Sequence, residues 1–250
     1  MIKRIQKTVT FDKIKTVIRG GGFKVSEVHG FYKFSVKLWD LILGNFLFLL
    51  SNIPGLALLF FVKMNQPVVI LASIYIALLF VWPAFSALIY TYSNRYKREN
   101  IFKSYWTGYK KSAKQSFQMG AIMNLIFIIL FSDYLYFSKI SGMLGILFLI
   151  VMLICLVVTF AYTVIISNFN FSLSQIFQLI VKFFLPLSKT SLLTLGFLFA
   201  FLLMYLTGAN FILLVMFGFV GKIAVSSSKQ VRHDIFKYHT NEGRKAEGIV

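Results

Sequence analysis

The chain has 250 residues, 58% of them hydrophobic and only 14% charged, with a mean hydropathy of +0.78. Soluble domains carry about a quarter charged residues, so this composition excludes an ordinary water-soluble globule and places the chain in the membrane class. The formal charge of +18, from 26 Lys and Arg against 8 Asp and Glu, fits nucleic acid, anionic lipid or a topology signal, and position along the chain discriminates among them.

Residues 1–36 read as a basic cytoplasmic arm. A weak apolar stripe (Ile2, Ile5, Val9, Ile14, Val17, Ile18) leads to the flexible break Gly20-Gly21-Gly22. Lys3, Arg4 and Lys7 are not followed by an apolar core and small-residue cleavage site before Phe31. A cleavable signal peptide is therefore not expected, and the first span serves as the insertion signal.

A helix needs about 20 apolar residues to cross a hydrocarbon layer of roughly 30 Å. Within residues 37–226, six runs qualify: 38–62, 68–90, 119–137, 142–166, 190–206 and 211–226. The first is interrupted by Ser51-Asn52-Ile53-Pro54-Gly55, where the missing proline N–H predicts a kink. The second carries Pro83 near its end, and the third and fourth are separated only by Ser138-Lys139-Ile140-Ser141, a tight helical hairpin. The stretch 190–226 would reach about 55 Å as one helix, and Thr207-Gly208-Ala209-Asn210 supplies turn chemistry at its middle.

Lysine and arginine test this threading. Residues 1–37 hold nine, 91–118 seven, 167–190 two and 222–250 six, whereas the alternate connections hold Lys63 and Lys139 alone. The positive-inside rule puts the rich side in the cytoplasm, and merging the last two spans would send six positive charges to the wrong side. The predicted fold is thus all-α, a polytopic bundle of six transmembrane helices with both termini in the cytoplasm and interfacial amphipathic helices on that side. A cell membrane is the expected location. Topology and attraction to anionic lipid account for the charge, so no nucleic-acid partner is implied.

Between the spans, residues 95–118 place Phe102, Tyr105, Trp106, Tyr109, Ala113 and Phe117 at helical spacing, with Arg98, Lys103, Lys110, Lys111 and Lys114 around the rest of the turn. Two readings fit: a helix lying in the headgroup layer, or a docking surface of the helix-in-groove kind. Residues 167–189 suggest a second interfacial or coupling-type helix, stopped by Pro186 before the next span. Residues 227–250 are expected to be a solvated, partly disordered tail.

Chemistry is sparse. Intramembrane ionisable residues are functional candidates by default, and the spans offer only Asp40 and Asp133, both near span ends. Asn45 and Asn52 share one face of the first span and Asn124 lies in the third, all suited to interhelical hydrogen bonds. Gly196 and Ala200 form a small-xxx-small pair that predicts close approach of the fifth span to a neighbour. Cys155 is a lone thiol in an apolar run, and His29, His233 and His239 fall into no metal or hydrolase motif. No cofactor, metal site or enzymatic activity is expected.

Three stretches carry a resemblance: Lys37-Leu38-Trp39-Asp40-Leu41 with Asn45 four residues on; Pro83-Ala84-Phe85-Ser86-Ala87-Leu88 leading to residues 101–111 (IFKSYWTGYKK); and Asp133-Tyr134-Leu135-Tyr136-Phe137. In these the chain resembles the YesL-like family of bacterial membrane proteins, over residues 31–225, with a longer stretch between Asn45 and Pro83 and an extra N-terminal arm. The resemblance implies a setting beside carbohydrate ABC importers and sensor kinases. It points to an accessory or assembly subunit in carbohydrate uptake, with Phe102, Lys103, Tyr105, Trp106, Tyr109, Lys110, Lys111 and Lys114 as the candidate partner or lipid interface. The alternative is a permease subunit moving a sugar or other small solute; the segment ending Leu185-Pro186-Leu187 is similar to a permease coupling loop, without its Glu-Ala-Ala and glycine.

Overall fold

The computed structural model describes residues 25–62, 66–94 and 100–246. Among them every regular element is helical: α1 (Val25–Ser51), α2 (Ile53–Phe61), α3 (Pro67–Ser93), α4 (Ile101–Phe137), α5 (Gly142–Asn168), α6 (Leu173–Lys182), α7 (Phe184–Leu206), a 3-10 helix (Asn210–Leu214), α8 (Met216–Ser227) and α9 (Lys229–Ala246). Five are long and apolar enough to cross a membrane, through windows at Phe34–Ser51, Val68–Ser93, Ile101–Phe137, Gly142–Asn168 and Phe184–Leu206. The protein is therefore a multi-pass membrane-type helical protein. The N-terminal stripe, the glycine run and Arg95 to Lys97 and Arg98 lie outside the described residues.

Contacts divide the chain into residues 1–42 and 43–250. The first unit holds the opening turns of α1, where Trp39 is exposed and Asp40 is buried. Helix already begins at Val25, so the last part of the expected arm belongs to the first long helix.

The interruption expected in the first span is a break between two helices. Pro54 has no N–H for the ladder and sits in the first turn of α2, where that donor is not needed. At the break the Asn52 N–H turns to the Leu49 carbonyl at 3.0 Å. Phe48 O, left by that shift, accepts from Asn52 Nδ2 at 2.7 Å and Ser51 Oγ at 2.9 Å. Two polar side chains thus replace the backbone bond lost to the break.

The largest departure concerns residues 95–118. No separate interfacial helix precedes the third span: α4 is one rod of 37 residues, about 55 Å long, started by Asn100 Oδ1 accepting from the Phe102 N–H at 3.1 Å. Its buried face holds Ser104, Gly108, Ser112, Ser116 and Gly120, small residues every fourth position that let α3 come close. A Cβ on Gly108 would meet the Tyr90 ring at 2.6 Å, and one on Gly120 the Trp82 ring at 2.6 Å. Close approach was expected instead at Gly196 and Ala200; both are exposed, and nothing lies within 4 Å of a Cβ built on Gly196.

α4 and α5 form the expected hairpin, closed through the Ser141 N–H to the Phe137 carbonyl at 2.9 Å. α6 opens with a capping box, Ser172 and Gln175 each bonding the other's backbone N–H. Pro186 sits inside the first turn of α7, where a missing N–H is harmless, so that helix spans Phe184–Leu206 and not 190–206. The turn expected at Thr207-Gly208 is present, with Gly208 at φ +95° ending α7. The chain then continues as the short 3-10 helix and the 12-residue α8.

Residues 229–246 form α9, not a loose tail: Val231 and Ile235 are buried. They join Met119, Tyr162, Ile166, Ile176 and Leu187 in one apolar cluster linking α4, α5, α6, α7 and α9. Burial is concentrated at the end where the basic connections gather. In α5, residues 159–167 are all buried, whereas from Gly142 to Leu156 only Gly145 is.

Candidate functional site

Three polar contacts fix the helices to one another. Asn45 presents its amide to the joint before α8, donating from Nδ2 to the Leu213 carbonyl at 2.7 Å and accepting at Oδ1 from the Phe217 N–H at 3.0 Å. Both partners are helix-end groups without an intrahelical bond, so one amide satisfies two orphans, and Phe48 stacks on Phe217 at 4.2 Å beside it. Tyr105, with no exposed surface, has its hydroxyl 2.7 Å from Ser51 Oγ and 3.3 Å from the Ala84 carbonyl. Asn124 Oδ1 accepts from Trp82 Nε1 at 3.1 Å, while Tyr75 donates to the Ala121 carbonyl at 3.1 Å. All three asparagines are buried; Asn45 and Asn124 bridge elements, whereas Asn52 bonds within its own break.

The fourth contact was hidden among the charges of the C-terminal segment. Arg232 reaches from α9 to Ser93 Oγ at 2.8 Å and Asn168 Oδ1 at 3.1 Å through Nη1, and to the Val225 carbonyl at 2.9 Å through Nη2. Ser93 and Asn168 are the last residues of α3 and α5, and Val225 lies in the last turn of α8. The guanidinium therefore sits where three helix dipoles present their negative ends. The available signal was Val231 and Ile235, an apolar pair four residues apart with the arginine between them.

The basic-aromatic set divides by exposure. Lys103, Lys110, Lys111 and Lys114 are exposed and Phe102 is half exposed, whereas Trp106 and Tyr109 are partly covered. Edge contacts link Phe102 to Trp106 at 6.4 Å and Trp106 to Tyr109 at 5.6 Å, and Lys111 Nζ lies 5.4 Å from the Tyr90 ring. Tyr105, expected in the interface, is core and meets nothing outside the protein. The accessible face is thus a lysine stripe edged by aromatics. Asp133 is partly buried near the far end of α4, away from this set.

A family model described as "Protein of unknown function, DUF624" matches residues 41–134. Over that segment the chain is similar to this family, the YesL-like one. The matched segment runs from α1 through most of α4, and it contains Asn45, Ser51, Trp82, Tyr105 and Asn124 together with the small-residue face of α4 and the lysine stripe. Arg232 and α9 lie beyond the matched DUF624 segment and hold the end of its helix α3. Comparison with curated proteins and with solved structures finds no match.

Proposed function

We propose that this protein is a non-enzymatic accessory or assembly subunit of the bacterial cell membrane that serves carbohydrate uptake by docking onto an ABC importer or a sensor kinase. The observation that carries this reading is the rigid extension of α4. Gln115 to Phe137 suffices to cross roughly 30 Å of hydrocarbon, so the 14 residues before Gln115 continue the same rod for about 21 Å. Tyr105 and Gly108 brace that extension from behind, while Lys103, Lys110, Lys111 and Lys114 stay accessible. A braced surface loses little conformational freedom on binding. The carbohydrate setting rests on the family resemblance alone.

The reading includes six crossings with both termini inside. The lysine and arginine distribution favours it, and so does length: the 3-10 helix and α8 together extend about 28 Å at 2.0 and 1.5 Å per residue, enough for a sixth passage in two pieces. Reporters fused after Asn65 and at Thr207 are expected outside and one at the C-terminus inside; an interior reporter at either loop overturns the threading.

The permease alternative has less support. Between α3, α4 and α5, Trp82, Ser116, Met119, Gly120, Thr159, Tyr162, Thr163 and Ile166 surround about 160 Å³ of space between atoms that admits no water molecule. Of the polar side chains there, Trp82 and Tyr162 bond across to α4, and Thr159 and Thr163 bond back to carbonyls of their own helix.

Affinity purification in mild detergent tests the docking. The intact chain is expected to bring down an importer subunit or a histidine kinase. The triple variant K110E/K111E/K114E is expected to reduce that yield at least tenfold with an unchanged thermal midpoint. A chain recovered alone, with sugar uptake unaltered in a deletion strain, overturns it.

A further inference from the structure

α6 divides its surface into three arcs. Ile176, Leu179 and Ile180 are buried against the bundle. Next to them on the helical wheel come Leu173, Phe177 and Val181, at 39%, 45% and 77% exposure, apolar yet uncovered by protein. Ser174, Gln175, Gln178 and Lys182 complete the turn as a polar arc. A helix free in water would place polar residues opposite its buried face on both flanks; this one keeps a second apolar flank of three residues at i, i+4 and i+8.

We propose that α6 lies in the plane of the membrane at its cytoplasmic face, with Leu173, Phe177 and Val181 among the acyl chains and the polar arc turned to the headgroups and water. Continuity argues for lipid over a protein partner. α6 is followed at once by α7, whose first residues Phe184 and Leu185 are 42% and 79% exposed, so the apolar flank runs without a break into the lipid-facing surface of a spanning helix. Charge agrees: the flank carries none, and the one charge of α6, Lys182, lies on the polar arc over the Tyr238 ring, 3.1 Å from its centre. A helix with an apolar flank and a polar arc that carries its lysine suits an anionic leaflet surface. The inference rests on the membrane reading above and adds that this segment, unlike the start of α4, is turned into lipid and not toward a partner protein.

Spin labels on the full-length protein in vesicles containing anionic lipid test it. In a Cys155→Ala background, single cysteines replace Phe177, Val181, Ser174 and Gln178, with Ile150 of α5, 52% exposed, as a reference. Labels at 177 and 181 are expected to collide more with oxygen than with a water-soluble nickel chelate, matching the reference, and labels at 174 and 178 to show the reverse. If all four favour nickel while position 150 favours oxygen, the proposal for α6 fails and the membrane reading stands. If position 150 also favours nickel, the membrane reading itself fails.

Discussion

Valine at position 120 is expected to destabilise the protein by about 3 kcal/mol, combining roughly 1–3 kcal/mol for overpacking with about 1 kcal/mol for a lost hydrogen bond. A Cβ at Gly120 already approaches Trp82 Cδ1 to 2.6 Å. The indole cannot swing aside without cost, because Nε1 donates to Asn124 Oδ1 at 3.1 Å and the ring meets Phe160 edge-on at 6.0 Å. Movement of α3 away from α4 would also strip Tyr90 from Gly108 along the same seam. Gly196→Val is the matched control: with nothing within 4 Å of its Cβ, it is expected to change stability by less than about 0.5 kcal/mol. Thermal unfolding in detergent, followed by tryptophan fluorescence, separates the two. Equal midpoints for both variants would mean that the small-residue face of α4 is not a tight contact.

Arg232→Ala is expected to release α9. Truncation removes three hydrogen bonds from a charged donor and leaves the Val225 carbonyl and Asn168 Oδ1 short of a partner, a loss of about 2–4 kcal/mol. Among the described side chains of α9 the buried apolar ones are Val231 and Ile235, and two aliphatic side chains at about 1.5–3 kcal/mol each offset only a fraction of the cost of ordering the helix. Trypsin reads the outcome at Lys229 and Lys237. Cleavage is expected at least tenfold faster than in the wild type, since about 1.4 kcal/mol corresponds to a factor of ten. Arg232→Lys keeps the charge but not the planar fork that serves two helix ends and a carbonyl at once, so its rate should fall between. Cleavage at the wild-type rate in the alanine variant would show that α9 is held by other contacts.

Helix breaks and turns were legible because they depend on local backbone chemistry. The break at Asn52 follows from Pro54, the end of α7 from Gly208, and the α4–α5 hairpin from four residues between two apolar runs. The polar role of Asn45 was legible in kind, since an amide in an apolar helix needs a partner, but its partners stand 168 and 172 positions away, and no local pattern specifies them. Lysines in residues 101–114 suggested a boundary between an interfacial helix and a span. Helix propensity sees no boundary there, because Lys and Ala continue a helix as readily as Leu does and Ser costs only roughly a few tenths of a kcal/mol, and α4 runs straight through.

Hydropathy and helix-length apolar runs, properties of single residues summed along the chain, were enough to make this a helical membrane-type protein. Which face of each helix packs against protein and which is left exposed was settled only in the folded bundle. In hydrocarbon, apolar surface gains little by burial, so close fit, not hydrophobicity, selects the contact: Gly120 beneath Trp82 is interior while Gly196 is not, though the two glycines look alike in the chain. Tyr105 and Arg232 make the same point, one an expected surface aromatic that proved to be core, the other a charge in an expected loose tail that ties three helix ends together.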